Sequence, residues 1–161
     1  MPDRLSAGIL VYRGAKTGSV QVLIAHMGGP FWQRKDEGAW SIPKGEHAPD
    51  EDAFAAACRE FDEELGSPVP GSEFTDLGTV RQPSGKLVRV WATPGDFDAA
   101  SAVSTTFEME WPRGSGRMQR FPEVDRVQWF DVAVARTKLV SGQVPFLDAL
   151  VARLSPTRSS G

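Results

Sequence analysis

Residues 45–66 read Gly45-Glu46-His47-Ala48-Pro49-Asp50-Glu51-Asp52-Ala53-Phe54-Ala55-Ala56-Ala57-Cys58-Arg59-Glu60-Phe61-Asp62-Glu63-Glu64-Leu65-Gly66. Pro49 suits the first turn of a helix, where its missing N–H would be unpaired and its φ is already helical. Asp50, Glu51 and Asp52 follow it and place negative charge at the positive end of the helix dipole. Residues 53–58 have high helix propensity apart from Phe54 and Cys58, and Gly66 is a natural stop. At roughly 100° per residue Phe54, Cys58, Phe61 and Leu65 make one apolar stripe, the expected core face.

Glu60, Glu63 and Glu64, spaced i, i+3 and i+4, gather on a different face. They repel one another and, with Asp62, crowd the negative end of the helix dipole, which costs stability. A solvated acidic face is the ordinary account of an acidic helix end. The fixed distances to Gly45, Glu51 and Arg59 speak against it here. Hard oxygen ligands in a cluster call for a hard divalent cation, Mg²⁺ or Mn²⁺. Ala53, Ala56 and Ala57, upstream on the same side, are expected to leave room for a phosphate ligand above the metal.

Gly45, Glu51, Arg59, Glu60, Glu63, Glu64 and Gly66 fall on the fixed positions of the pattern G-x5-E-x7-R-E-U-x-E-E-x-G-U, in which U is bulky and apolar. At roughly 7% occurrence per fixed residue type, a chance match over ~140 starting points has a probability on the order of one in a million. Phe61 fills the first U, and Ser67 departs from the second, a matter of local packing past the helix end. The segment resembles the Nudix box. Trp40-Ser41-Ile42-Pro43-Lys44-Gly45 is similar to its usual lead-in, and residues 78–86, 107–112 and 121–130 resemble the small bacterial branch of Nudix pyrophosphohydrolases.

Composition sets bounds around this motif. The chain has 161 residues, 40% of them hydrophobic, enough for one domain with a real core; residues 1–154 are expected to form it. With 18 basic and 21 acidic residues the formal net charge is −3, so no overall field draws the chain to nucleic acid or to a membrane. A single cysteine, Cys58, excludes an intramolecular disulfide and fits a reducing compartment. It lies on the apolar stripe and reads as packing, not as a nucleophile. The N-terminus carries no apolar run long enough for a signal peptide or a span, so the cytoplasm is the expected location.

Strands are expected at Leu5–Arg13 and 20–26, separated by Gly14-Ala15-Lys16-Thr17-Gly18, then a short one at 40–43. Beyond the box helix, 68–72 reads as a linker, 74–81 and 86–93 as strands turning at Pro83-Ser84-Gly85, and 105–111 as a strand before a loop at 112–122. A strand near 126–130 and helices at 132–139 and 144–154 follow, with 155–161 expected to be a disordered tail. Strands, box helix, more strands and closing helices suggest a mixed sheet between helical layers. The resemblance implies the same fold class: α/β, an α/β/α sandwich with a mixed β-sheet and a loop–helix–loop box.

The chemistry implied by the resemblance is Mg²⁺-dependent (or Mn²⁺-dependent) hydrolysis of a pyrophosphate bond in a nucleoside diphosphate linked to another group. Candidate substrates are a dinucleoside polyphosphate, a nucleotide sugar or a modified nucleoside triphosphate. Metal ligands are then the Gly45 carbonyl with Glu60 and Glu64, joined by Glu63 as a further ligand or the base. Arg59 orients the carboxylates by a charge-assisted bond. Glu51 braces the loop or contacts metal through water. In this family the base varies and comes in some members from outside the box; Glu108, Glu110 and Glu123 are the candidates here. For phosphate, Lys44 adjoins Gly45, and Arg34 and Arg81 are further cations in or beside loops, as are Lys35, Lys86, Arg113, Arg117 and Arg120. Trp40, Trp91 and Trp129 read as core, whereas Phe31, Trp32 and Trp111 are candidates for stacking on a base. His26 and His47 lack metal-ligand partners at useful spacing. Two other readings compete: a noncatalytic nucleotide-sensing module, which tends to lose helix carboxylates that survive here, and hydrolysis of RNA 5′ ends, which needs a basic path that the net charge argues against.

Overall fold

Why the sheet splits open beside the box follows from its central strand. The computed structural model describes residues 4–154. Strand β1 (Leu5–Arg13) is a continuous apolar run buried on both faces, as a central strand between helical layers must be. It pairs in parallel with β6 (Leu87–Pro94) along its length, and β6 pairs antiparallel with β5 (Thr75–Arg81). On its other edge β1 meets β2 (Gln21–Met27) only at Tyr12 and Arg13. The two strands then diverge. β3 (Trp40–Ser41) fills the gap on the β2 side and β4 (Lys44–His47) on the β1 side, where Gly45 pairs with Ala7. β9 (Val124–Asp131) covers the far edge of β2, completing a seven-stranded mixed sheet. β7 (Thr106–Glu110) and β8 (Met118–Pro122) form a separate antiparallel hairpin.

Alternation along β1 feeds two cores. Ala7, Ile9 and Val11 pack with Leu23, Ala25 and the helix α1 (Ala53–Leu65) through Ala57, Phe61 and Leu65. Leu10 and Tyr12 face the opposite layer, made by α2 (Val132–Lys138) and α3 (Val144–Leu154) through Ala135, Phe146, Leu147 and Leu150. This is the α/β/α sandwich expected from the sequence. Trp40 and Trp91 are buried and Trp129 is half-buried.

Several local expectations are corrected. Helix α1 begins later than the Pro49 signal implies: Asp52 is its N-cap, its carboxylate accepting the Ala55 N–H at 2.9 Å, so Pro49, Asp50 and Glu51 precede the helix. Ala56 and Ala57 are fully buried and leave no room for a ligand. The core stripe is rotated by about one residue from the expected one, because small side chains let α1 approach the sheet closely, while Phe54 and Cys58 end half-buried at its margin. Residues 44–47 form a strand where a loop is expected, and the expected strand at 40–43 shrinks to Trp40–Ser41. Half of the expected loop at 112–122 is β8, whose polar outward residues hid it. The turn at 14–18 contains one 3-10 turn, Ala15–Thr17. The expected tail at 155–161 lies outside the described residues.

Candidate active site

The splay between β1 and β2 brings β4 beneath the last two turns of α1. Between them lies a cleft of ≈ 380 Å³ bordered by Lys44, Gly45, Glu60, Glu63, Glu64 and Glu123, with Glu46 and Thr105 at its edge. Lys44 and Gly45 come from β4, the three glutamates from α1, and Glu123 from the link between β8 and β9. Gly66, at φ 74°, stops α1 directly after Glu64, its N–H donating to the Asp62 carbonyl at 2.7 Å. The chain then returns along the helix end: the Thr105 N–H donates to the Glu63 carbonyl at 3.2 Å, and Glu123 N–H donates to the Thr105 carbonyl at 2.8 Å. Glu123 is thereby carried to the cleft.

Gly45 is required by close approach. A Cβ there would stand 2.0 Å from Cδ and 2.1 Å from Oε2 of Glu60. Its carbonyl oxygen accepts the Ser6 hydroxyl at 2.9 Å, and Gly45 also pairs with Ala7 in the β1–β4 ladder. Arg59 organises the acids: it pairs with Glu51, donates to Glu60 Oε1 at 3.2 Å and lies 3.9 Å from Glu63 Oε1. Glu51 first, and then Glu60, hold its guanidinium more firmly protonated. Glu51 thus braces Arg59 from the loop before the helix.

Glu64 accepts the Lys44 backbone N–H at 3.3 Å. Burial pushes its carboxyl up to about 8; the Lys44 charge and N–H oppose that, while the charges of Glu60 and Glu123 add to it. Burial, with repulsion from Lys86, lowers the Lys44 ammonium below its ordinary value, against the pull of Glu64, Glu46 and Glu60. The cleft is therefore short of positive charge. Its donors are hard oxygens, which suit a hard divalent cation and not a soft one. Among the described residues no three His, Cys, Asp or Glu side chains already stand in a metal-holding arrangement; Glu60 is drawn toward Arg59 and Glu64 toward Lys44.

The other candidates fall outside the cleft. Glu108 pairs with Arg120 at 3.2 Å and Glu110 accepts the Gly114 N–H at 2.5 Å, both exposed on the β7–β8 hairpin. Arg34 is exposed in the 28–38 loop, and Arg81, on β5, donates to the Gly85 carbonyl at 3.1 Å; neither borders the carboxylates. Phe31 is exposed and meets Trp111 edge-on at 5.6 Å. Trp32 instead borders a second cavity that shares Lys44 with the cleft. Sequence reasoning missed Glu46, which lies 3.7 Å from Lys86 and pairs with Arg4 at 2.7 Å. His26, read from the sequence as an ordinary strand-end residue, lies near the end of β2 and is fully buried with Nδ1 2.7 Å from Asp125 and Nε2 2.6 Å from the Lys35 carbonyl. The unbroken apolar character of β2 around His26 was the available signal for burial.

A family model described as NUDIX domain matches residues 2–150. No curated protein matches the chain. Among solved structures, a Caenorhabditis elegans Ap4A hydrolase in a binary complex is similar at TM-score 0.62 and 20% identity, covering 93% of this chain and 98% of that one. The NUDIX domain of Shewanella oneidensis NrtR complexed with ADP ribose is similar at 0.64 and 16% identity, covering 96% and 90%. The Escherichia coli ORF135 protein is similar at 0.59 and 23% identity, covering 100% and 96%. At these identities the likeness to the three structures speaks for the fold.

Proposed function

The chain belongs to the NUDIX family of pyrophosphohydrolases, and we propose that it hydrolyses a pyrophosphate bond in a nucleoside diphosphate linked to another group, with Mg²⁺ as its metal. Nudix enzymes generally use divalent metal ions. The observation that carries the reading is the cleft in which Glu60, Glu63, Glu64 and Glu123 meet Gly45 and Lys44. Its oxygen-only donors and its deficit of positive charge suit Mg²⁺ or Mn²⁺, and the residues to hold it are Glu60, Glu64, the Gly45 carbonyl, and Glu63. A bound divalent ion would supply Lewis-acid stabilisation of charge on phosphate oxygens and make a coordinated water more acidic.

The chain's own groups do the rest. Arg59 orients Glu60 through a 3.2 Å contact and lies 3.9 Å from Glu63, so the two carboxylates are held near the cleft by one cation. Lys44 offers its ammonium to the phosphate at the cleft wall. Glu63 is half-exposed and Glu123 exposed, and either carboxylate can take a proton from attacking water. Dinucleoside polyphosphates, nucleotide sugars and modified nucleoside triphosphates all present the required bond. The Ap4A hydrolase and the ADP-ribose complex among the similar structures are consistent with that class. No helix among the described residues is long and apolar enough to cross a membrane.

The test is product analysis after incubating wild type and Glu63→Gln with several nucleoside-diphosphate derivatives and Mg²⁺. The variant preserves volume and helix, and should lose at least ~10²-fold in turnover while still binding ligand. Tight binding by wild type with every compound returned intact would replace the enzyme reading with a sensor. Hydrolysis undiminished in Glu63→Gln would move the base to Glu123.

A further inference from the structure

The cavity that shares Lys44 with the carboxylate cleft measures ≈ 560 Å³, larger than the cleft itself. Its apolar wall is Met27, Trp32, Val88 and Val140, and Lys44 and Lys86 stand on its boundary. Lys86 has Glu46 at 3.7 Å, but Glu46 is already taken up by Arg4 at 2.7 Å. Two ammonium groups at one junction, repelling each other, are an arrangement that a bridging anion stabilises.

The polar groups in this cavity are largely occupied by the protein. Gln143 Oε1 accepts the Ile42 N–H at 2.7 Å, and its Nε2 donates to Ser41 Oγ at 3.0 Å. The Ser41 hydroxyl in turn donates to the Ile42 carbonyl at 2.9 Å, and Gln82 Nε2 donates to the Gly142 carbonyl at 2.9 Å. What remains for a ligand is mainly the half-buried indole of Trp32, which Lys35 Nζ approaches to 5.4 Å from the ring centroid, with the Ser84 hydroxyl, Gln82 Oε1 and the surrounding apolar surface. A pocket that hydrogen-bonds its ligand's edges rejects the wrong one by ~10⁴-fold or more, whereas one working by shape and apolar contact discriminates by only ~10–200-fold.

We propose that this cavity is a base-tolerant nucleoside subsite: Trp32 stacks on the base, and Lys86 joins Lys44 in holding the diphosphate that enters the carboxylate cleft. The proposal rests on the reading of the cleft as a pyrophosphohydrolase site. It departs from the sequence expectation in making Lys86 the second phosphate cation, in place of Arg34 and Arg81. The nucleoside end is thus gripped by surface and charge, not by recognition of one base.

Equilibrium binding tests it separately from turnover. Wild type, Trp32→Leu, Trp32→Phe and Lys86→Gln are titrated with ADP, GDP, UDP and inorganic pyrophosphate by calorimetry in the presence of Mg²⁺. Trp32→Leu should weaken the nucleoside diphosphates by roughly 10-fold and leave pyrophosphate unchanged, and Trp32→Phe should keep most of the affinity. Lys86→Gln should weaken all four ligands by about 10-fold. ADP, GDP and UDP should bind wild type within about 10-fold of one another. Unchanged binding in Trp32→Leu, unchanged pyrophosphate binding in Lys86→Gln, a preference beyond ~10³-fold for one base, or no nucleotide binding by wild type would each overturn the proposal. If the expected binding pattern is found but no derivative is hydrolysed, the hydrolase reading fails while this subsite stands. Hydrolysis with unaltered binding in the variants fails the subsite alone.

Discussion

Replacing Gly45 by alanine separates the cleft's chemistry from the fold's stability. A Cβ at this position would stand 2.0 Å from Cδ, 2.1 Å from Oε2 and 2.5 Å from Cγ of Glu60. Ordinary carbon contacts lie near 3.5 Å, so the carboxylate must withdraw by about 1.5 Å. Every clashing atom belongs to the end of a flexible side chain, and the backbone at Gly45 keeps its β4 pairing with Ala7. The unfolded chain also loses freedom when glycine becomes alanine, worth roughly 0.4–1 kcal/mol in favour of the variant. Melting temperature without metal should therefore stay within a few degrees of wild type. Function should not: a misplacement of about 1 Å in a reacting constellation costs ~10²-fold. Turnover of a nucleoside-diphosphate derivative should fall by at least that factor, and the rise in melting temperature on adding Mg²⁺ should shrink. Gly8→Ala is the control, because there the Cβ would meet the Pro43 backbone oxygen at 2.6 Å and stability should suffer instead. Undiminished turnover and an undiminished Mg²⁺ shift in Gly45→Ala would refute the placement of Glu60 in the metal site.

That glycine also marks what was legible in the sequence. The spacing of Gly45, Arg59, Glu60, Glu63 and Glu64 on a helix and its lead-in is local information, and the structure gathers those residues in one cleft. The strand at Leu5–Arg13 was equally plain, and the structure buries its run from Ala7 to Tyr12 on both faces. What escaped is what the tertiary path decides. Ala56 and Ala57 fit an exposed or a buried helix face equally well by propensity, and only packing against β1 chooses. Glu123 reaches the cleft, and Glu108 and Glu110 do not, because the β7–β8 hairpin returns the chain to the end of α1 and projects its own acids outward. Arg34, Arg81 and Lys86 look alike in sequence. Only the turn between β5 and β6 brings Lys86 to the rim beside Glu46. His26 had no partner at any recognisable spacing, since Asp125 lies 99 residues away.

Two further outcomes are expected. His26→Phe removes the two ring nitrogens that meet Asp125 and the Lys35 carbonyl in a fully buried position, so it should destabilise by at least about 2 kcal/mol and lower the melting temperature by roughly 4–8 °C; a loss within error would show that water replaces the imidazole at no cost. The stability of the metal-free protein should depend on Glu64, whose carboxyl is raised by burial from its ordinary 4.5 to about 8 in the folded state. Between those values the folded protein keeps a proton that the unfolded chain has released, so stability is greatest below the lower value and declines as pH rises through the window. Glu64→Gln holds no titrating group there and should flatten the decline, as should saturating Mg²⁺, which offsets the charge that burial disfavours. Denaturant melts at intervals across that window read the slope directly. An equal slope in wild type and Glu64→Gln would assign the pH dependence to other groups and leave Glu64 ionised in the folded cleft.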